Sequence, residues 1–116
     1  MKLEPVQVVK LCYDHRWRDK NLVTIVAIAG AESGFDMNFD DGQRFGLFGI
    51  RPNDIHKEED LKDPTYAAVA ARNKYEVSHF APWISYATGR YYNYIEQSVN
   101  GVRDFYLSLF ESELRA

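Results

Sequence analysis

The sequence predicts a mainly α fold, a single domain over residues 1–116 with one Gly-rich loop. Apolar residues recur at helical spacing along most of the chain, and Gly, Asp and Asn gather in one stretch, 35–52. The length of 116 residues also fits one domain, since domains commonly hold about 100–150 residues. The Gly-rich stretch is predicted to be a loop that includes, at most, a short β-hairpin near Arg44–Ile50.

The first two helices are predicted from their capping residues and their apolar side chains. Pro5 suits the first turn of a helix over Glu4–Trp17. Asp19 or Asn21 is expected to cap the second helix, which is apolar on nearly all sides and should lie at the centre of the domain. The apolar side of the first helix consists of Val6, Val9, Cys12 and Tyr13.

Three further helices are predicted after the loop. The helix Asp63–Tyr75 begins with an Asp-Pro pair, in which Asp caps and Pro takes the first position. Pro82–Tyr86 is expected to form a short helix that Gly89 ends. The last helix is predicted over Tyr91–Leu114, with Asn100–Gly101 as an interruption or a kink.

The composition argues against several classes of partner. Seventeen acidic residues exceed fourteen basic ones, and no Lys/Arg cluster is present, so nucleic acid is not an expected partner. The single cysteine, Cys12, allows no intramolecular disulfide, and His15, His56 and His79 lack the spacing of metal ligands. We therefore expect no metal site and no cofactor.

The hydropathy pattern predicts no membrane insertion, because no run reaches the roughly 20 apolar residues of a membrane span. The N-terminal segment Met1–Pro5 also lacks the long apolar stretch of a signal peptide. We expect the chain to act as a monomer.

Glu32 is the strongest candidate for chemistry. It continues the stripe formed by Ile25, Ile28 and Ala29 on the second helix, and Gly34 is suited to end that helix two residues later, which places Glu32 in the last turn. Desolvation and the negative helix C-terminus would both raise the pKa of this carboxyl, which suits a general acid for glycosidic bond cleavage. The alternative is a glutamate that bends into solvent, the commoner fate of an arbitrary Glu.

Four sequence blocks follow one another in an order that resembles a known enzyme superfamily. They are Glu-Ser at 32–33, Gly-Leu-Phe-Gly-Ile at 46–50, Leu-Lys-Asp-Pro at 61–64 and Trp-x-x-Tyr-x-x-Gly at 83–89. This order resembles the soluble lytic transglycosylase and goose-type lysozyme superfamily, and most closely its compact versions in phage lysins and phage tail proteins. The resemblance covers Asn21 to Tyr94. It implies a lysozyme-like helical domain, a loop or short hairpin beside a cleft, and peptidoglycan glycan strands as the substrate.

The resemblance also implies roles for single residues. Glu32 matches the catalytic glutamate, and Ser33 the serine that orients the substrate or the glutamate. Gly46 and Phe48, with Leu47 between them, match a Gly-Leu-Met block whose third side chain lines the floor of the cleft. Gly49 stands where the family usually has Gln, so contacts to the substrate's acetamido group would differ.

Two aromatic residues complete this comparison. Tyr86 matches the tyrosine near the catalytic carboxyl, but the Asn that follows it in larger transglycosylases is absent. Trp83 fits the compact phage-type members, in which it would either stack on a sugar ring or wedge the core.

A second carboxylate would distinguish hydrolysis from transglycosylation. Asp36, Asp40 and Asp41 are candidates for it, although each is more typical of a turn former, whose side chain bonds nearby backbone amides. The family's transglycosylases use one Glu twice, first as acid and then as base, to form a 1,6-anhydro sugar. Because no Asp stands out, transglycosylation is favoured over lysozyme-type hydrolysis. The alternative function is a non-catalytic wall-binding or virion module that keeps the fold.

An enzyme of this kind acts on the bacterial cell wall. Without an export signal of its own it would be released through a membrane pore, be carried on a phage particle, or belong to a larger chain.

Overall fold

The computed structural model describes residues 1–53 and 55–115 and is mainly helical, with 65% of the chain in helices. No strand forms in these two ranges, where antiparallel pairing is limited to isolated bridges such as Phe45 with Ile50. The mainly α prediction is confirmed, and the hairpin expected near residues 44–50 is reduced to a bridged pair. The helices are α1 Pro5–Asp14, α2 Asp19–Ser33, α3 Glu58–Leu61, α4 Pro64–Ser78, α5 Ile84–Ala87, a 3-10 helix Arg90–Tyr94, and α6 Ile95–Arg115.

Helix α2 lies at the centre of the fold, as its apolar sequence predicted. It contacts α1, α5, the 3-10 helix and α6. Its side chains Leu22, Ile25 and Ile28 are fully buried, and burial of each stabilises the fold by about 1.5–3 kcal/mol. Gly30 admits the 3-10 helix, because a Cβ at this position would lie 2.6 Å from the Tyr94 ring.

The predicted C-terminal end of α2 is confirmed, whereas the predicted N-terminal cap is not. The N-terminal cap is Arg18, which has no side-chain cap bond, so the prediction of Asp19 or Asn21 as cap was wrong. At the other end Gly34 has the left-handed conformation, with φ 63° and ψ 31°, and its N–H donates to the Gly30 carbonyl oxygen at 2.8 Å. Gly34 therefore ends α2 as predicted and leaves Glu32 in its last turn.

Helix α4 begins where the Asp-Pro pair predicted. The Asp63 carboxylate accepts a hydrogen bond from the Tyr66 N–H at 3.1 Å, and Pro64 is the first helical residue. The helix continues to Ser78, one turn beyond the predicted end. The short helix α5 begins at Ile84 rather than at Pro82, with Trp83 in the N-cap position.

Helices α1 and α6 pack against each other. Each differs from its sequence prediction in one respect. Helix α1 ends at Asp14, before Trp17, because Arg16 has a positive φ of 74°. Helix α6 is continuous through Asn100–Gly101, where an interruption was expected. Gly101 instead allows close approach of α1, since a Cβ there would lie 3.1 Å from the Pro5 carbonyl carbon.

Candidate active site

The Glu32 carboxyl is buried in the last turn of α2, with 4% of its side chain exposed. Arg44 from the Gly-rich loop approaches it, with 3.6 Å between the Arg44 Nη1 and Glu32 Oε1 atoms. The Ser85 backbone N–H donates a long hydrogen bond to Glu32 Oε2 at 3.4 Å. The carboxyl is thus buried, as the apolar stripe predicted, and has a cation and an amide beside it.

Glu32 lines a cleft of about 160 Å³ that lies between the Gly-rich loop, α4 and the segment before α5. Among the described residues that line this cleft, three are cations, Arg44, Arg51 and Lys74, and one is a carboxyl, Glu32. A low-dielectric cleft with one predominant sign of charge attracts ligands of the opposite sign. The residues that line the cleft are Glu32, Arg44, Gly49, Ile50, Arg51, Lys74, Pro82, Trp83 and Ile84.

The loop over the carboxyl is held in a tight turn between Phe45 and Ile50. The Phe45 N–H donates to the Ile50 carbonyl oxygen at 2.9 Å, and the Ile50 N–H donates back at 3.1 Å. Gly46, at φ 80°, lies so close to the Leu61 carbonyl oxygen that no side chain fits there. Gly46 therefore has a structural reason to be glycine and does not itself line the cleft.

Ser33 and Phe48 support the loop from behind the cleft. The Ser33 hydroxyl shares its proton between the Leu47 carbonyl oxygen at 2.7 Å and the Ala29 carbonyl oxygen at 2.9 Å, which ties the loop to α2. The Phe48 side chain is fully buried, in the core rather than on the cleft surface. These two predicted site residues hold Glu32 and the loop in place.

Trp83 belongs to both the core and the cleft. It is 3% exposed, and its indole N–H donates to the Phe48 carbonyl oxygen at 3.0 Å. Tyr86 is 40% exposed, lies outside the cleft lining and stacks on Tyr91 with ring centroids 5.1 Å apart. The structure thus brings Trp83 to Glu32 and leaves Tyr86 on a neighbouring surface.

The three candidate second carboxylates are outside the cleft lining and bind backbone amides. The Asn38 N–H and the N-terminal ammonium lower the pKa of Asp36. The Gly42 N–H and the Lys62 ammonium lower the pKa of Asp40. The N–H groups of Arg44 and Gln43 lower the pKa of Asp41. All three carboxylates therefore behave as the turn formers that the alternative interpretation described.

Sequence reasoning missed two direct contacts of Glu32, with Arg44 and Ser85, and two further residues that line its cleft, Arg51 and Lys74. Arg44, Arg51 and Lys74 are isolated in the sequence and come together only in the fold. Of the three, Arg44 could most readily have been predicted from the sequence, because it immediately precedes the Phe45–Ile50 turn. Ser85 contributes its backbone, for which the sequence carries no signal.

Comparison with protein-family models, with curated protein sequences and with solved structures gives no match. The resemblance drawn above therefore rests on the residues of the four sequence blocks. In the part of the chain that the structure describes, no helix is long and apolar enough to cross a membrane, and no group of His, Cys, Asp and Glu could hold a metal ion.

Proposed function

We propose that this chain is a peptidoglycan-cleaving muramidase that cuts the β-1,4 bond between N-acetylmuramic acid and N-acetylglucosamine. The observation that carries the proposal is the buried Glu32 carboxyl at a cleft, where it faces Arg44 across 3.6 Å. The helical fold with a Gly-rich loop beside the cleft is compatible with a lysozyme-like domain, and the four sequence blocks support it. The substrate is the glycan strand of the bacterial wall.

The surroundings of Glu32 suit a group that gives up a proton and takes one back. The Glu32 carboxyl is buried at the cleft, and the Arg44 guanidinium lies 3.6 Å from it. Glu32 first donates its proton to the glycosidic oxygen, and Arg44 stabilises the carboxylate that results. The carboxylate then accepts the proton of the muramic C6 hydroxyl as that oxygen attacks the anomeric carbon. The products are a 1,6-anhydro sugar and a free leaving-group hydroxyl.

Transglycosylation is favoured over hydrolysis because of where the aspartates lie. Asp36, Asp40 and Asp41 bind backbone amides and are not among the residues that line the cleft. A hydrolase would need a second carboxylate to activate water or to form a glycosyl-enzyme intermediate. The proposed mechanism needs no carboxylate other than Glu32.

The test is release of soluble fragments from purified peptidoglycan by the wild type and by Glu32→Gln. The amide keeps the size of the side chain but cannot donate the proton, so the rate should fall by about 10²–10⁴-fold. Glu111→Gln is the matched control, because Glu111 is exposed near the end of α6. Circular dichroism of all three chains establishes that each is folded.

Cleavage by Glu32→Gln at the wild-type rate would refute the role of Glu32. Binding of peptidoglycan without release of fragments, from walls that a control muramidase digests, would refute the enzyme and support the non-catalytic wall-binding module.

A further inference from the structure

The cleft is cationic although the chain as a whole is acidic. The formal net charge of the chain is −3, yet Arg44, Arg51 and Lys74 meet around the Glu32 carboxyl. Three positive charges against one negative charge give the described lining of the cleft a formal charge of +2 when Glu32 is ionised, and +3 when it is protonated. Arg44 and Arg51 lie in the Gly-rich stretch 35–52 and Lys74 lies on α4, so a regular pattern along one element does not explain why they line the same cleft.

Arg51 and Lys74 have no ion-pair partner within the described structure. Among residues 1–53 and 55–115, no carboxylate lies within 4.0 Å of either side chain. Lys74 is half-buried on α4 and lines the cleft together with Arg51, which is exposed. Arg44 is close to Glu32, but its 3.6 Å distance exceeds the roughly 2.7–2.9 Å of a short charge-assisted hydrogen bond. Donor groups thus remain for an anion in the cleft.

We infer that Arg51 and Lys74 bind a carboxylate of the substrate beside Glu32 and thereby select carboxylate-bearing glycan strands over neutral ones. This inference rests on the proposed function, since it concerns the substrate of the same cleft. Peptidoglycan carries carboxylates on its stem peptides, and on the lactyl group of muramic acid where the stem is absent. Chitin has the same β-1,4 link and acetamido groups but no carboxylate. The two cations therefore explain a preference for muramyl strands that the general acid alone does not give.

Binding by a chain that does not cleave tests the inference separately from catalysis. In the Glu32→Gln background we would measure the affinity for three probes by calorimetry: stem-bearing glycan strands, stem-free strands with free lactyl carboxylates, and chitohexaose. At least one kind of muramyl strand should bind about tenfold or more tightly than chitohexaose, as expected for charge-assisted hydrogen bonds. The preference should weaken as the ionic strength rises.

Arg51→Gln combined with Lys74→Gln should abolish this preference. The matched control is Arg103→Gln combined with Lys20→Gln, which removes one Arg and one Lys from exposed positions. Lys20 precedes Glu32 by 12 helical residues, about 18 Å along α2, so the control should retain the preference.

The three probes also identify the source of the carboxylate. Tighter binding of stem-free strands assigns the lactyl group, tighter binding of stem-bearing strands assigns a stem carboxylate, and both results support the inference. Equal affinity for chitohexaose, or a preference unchanged by the double substitution, would overturn it. Cleavage of peptidoglycan by the wild type would then still stand, so this failure differs from failure of the proposed function.

Discussion

The backbone of Gly49 lies directly against the Glu32 side chain. A Cβ at position 49 would be 3.1 Å from the Glu32 Cβ atom and 3.2 Å from Oε1. Gly49 also has a positive φ of 58°, which L side chains rarely adopt. The departure from the Gln of the resembling family therefore has a local cause, because this loop conformation leaves no room for a side chain beside the carboxyl.

Substitution of Gly49 should impair activity more than its effect on stability explains. Gly49→Ala has to displace Glu32, and it carries a conformational cost of about 1–2 kcal/mol. Gly42→Ala is the control, because Gly42 also has a positive φ, 87°, but nothing within 4 Å of an added Cβ. We expect both variants to be destabilised in urea denaturation and only Gly49→Ala to lose activity at a temperature where both are folded. Equal activity of the two variants would contradict the account.

The hydrogen bond from Trp83 to Phe48 should stabilise the loop that covers Glu32. Trp83→Phe leaves the Phe48 carbonyl oxygen without this donor and should lower the free energy of unfolding by about 1–3 kcal/mol, with a loss of activity. Trp17→Phe is a useful comparison, because the buried Trp17 N–H has no hydrogen-bond partner among the described residues. That variant loses ring volume but no hydrogen bond. A larger stability loss in Trp17→Phe, with activity unchanged in Trp83→Phe, would argue against a supporting role for Trp83.

Two buried serines should differ in how their replacement by alanine affects stability. The Ser98 hydroxyl donates to the Val23 carbonyl oxygen at 2.6 Å, so Ser98→Ala should cost about 1 kcal/mol. The Ser85 hydroxyl is buried and has no partner within the ranges that the structure describes. Ser85→Ala should therefore leave stability unchanged or raise it, and should retain activity because the backbone N–H is what binds Glu32. Thermal unfolding of both variants checks this, and a clear loss in Ser85→Ala would reveal a partner for that hydroxyl.

The loop aspartates should matter for the loop and not for catalysis. The triple variant Asp36→Asn, Asp40→Asn, Asp41→Asn should retain Glu32-dependent cleavage of peptidoglycan. Loss of cleavage in a folded triple variant would restore one of these residues as the second carboxylate.

The pH dependence of stability offers a separate test of Asp41. Because the Arg44 and Gln43 amides lower its pKa in the folded state, its contribution is fully present above the unfolded pKa of about 3.9. That contribution is lost as the pH falls through the lower pKa of the folded state. The melting temperature of Asp41→Asn should thus lie below that of the wild type at pH 7, and the difference should shrink as the pH is lowered from 5 towards 2. A constant difference over that range would show that ionisation of Asp41 is irrelevant.

Local signals predicted much of the fold around Glu32. The apolar stripe before Glu32 predicted its burial, Gly34 predicted the end of α2, and Asp63 with Pro64 predicted the start of α4. Each of these features depends on residues within a few positions of one another, where periodicity and capping chemistry determine the structure.

The errors arose where distant contacts decide the outcome. Gly101 weakens an isolated helix by about 1 kcal/mol, which suggested an interruption, but its packing against Pro5 favours a continuous α6. The cleft brings together Arg44, Arg51 and Lys74. Their proximity depends on the path of the loop and on the placement of α4, and neither can be predicted from the spacing of nearby residues.

The most direct test of the central claim is mass spectrometry of the soluble products from purified peptidoglycan, digested by the wild type and by Glu32→Gln. The account predicts muropeptides that end in 1,6-anhydromuramic acid from the wild type, released about 10²–10⁴-fold more slowly by the variant. Reducing muramic ends would contradict the transglycosylase mechanism and indicate hydrolysis. Release of these products by Glu32→Gln at the wild-type rate, or no products from the wild type on walls that a control muramidase digests, would contradict the claim that Glu32 cleaves the glycan strand.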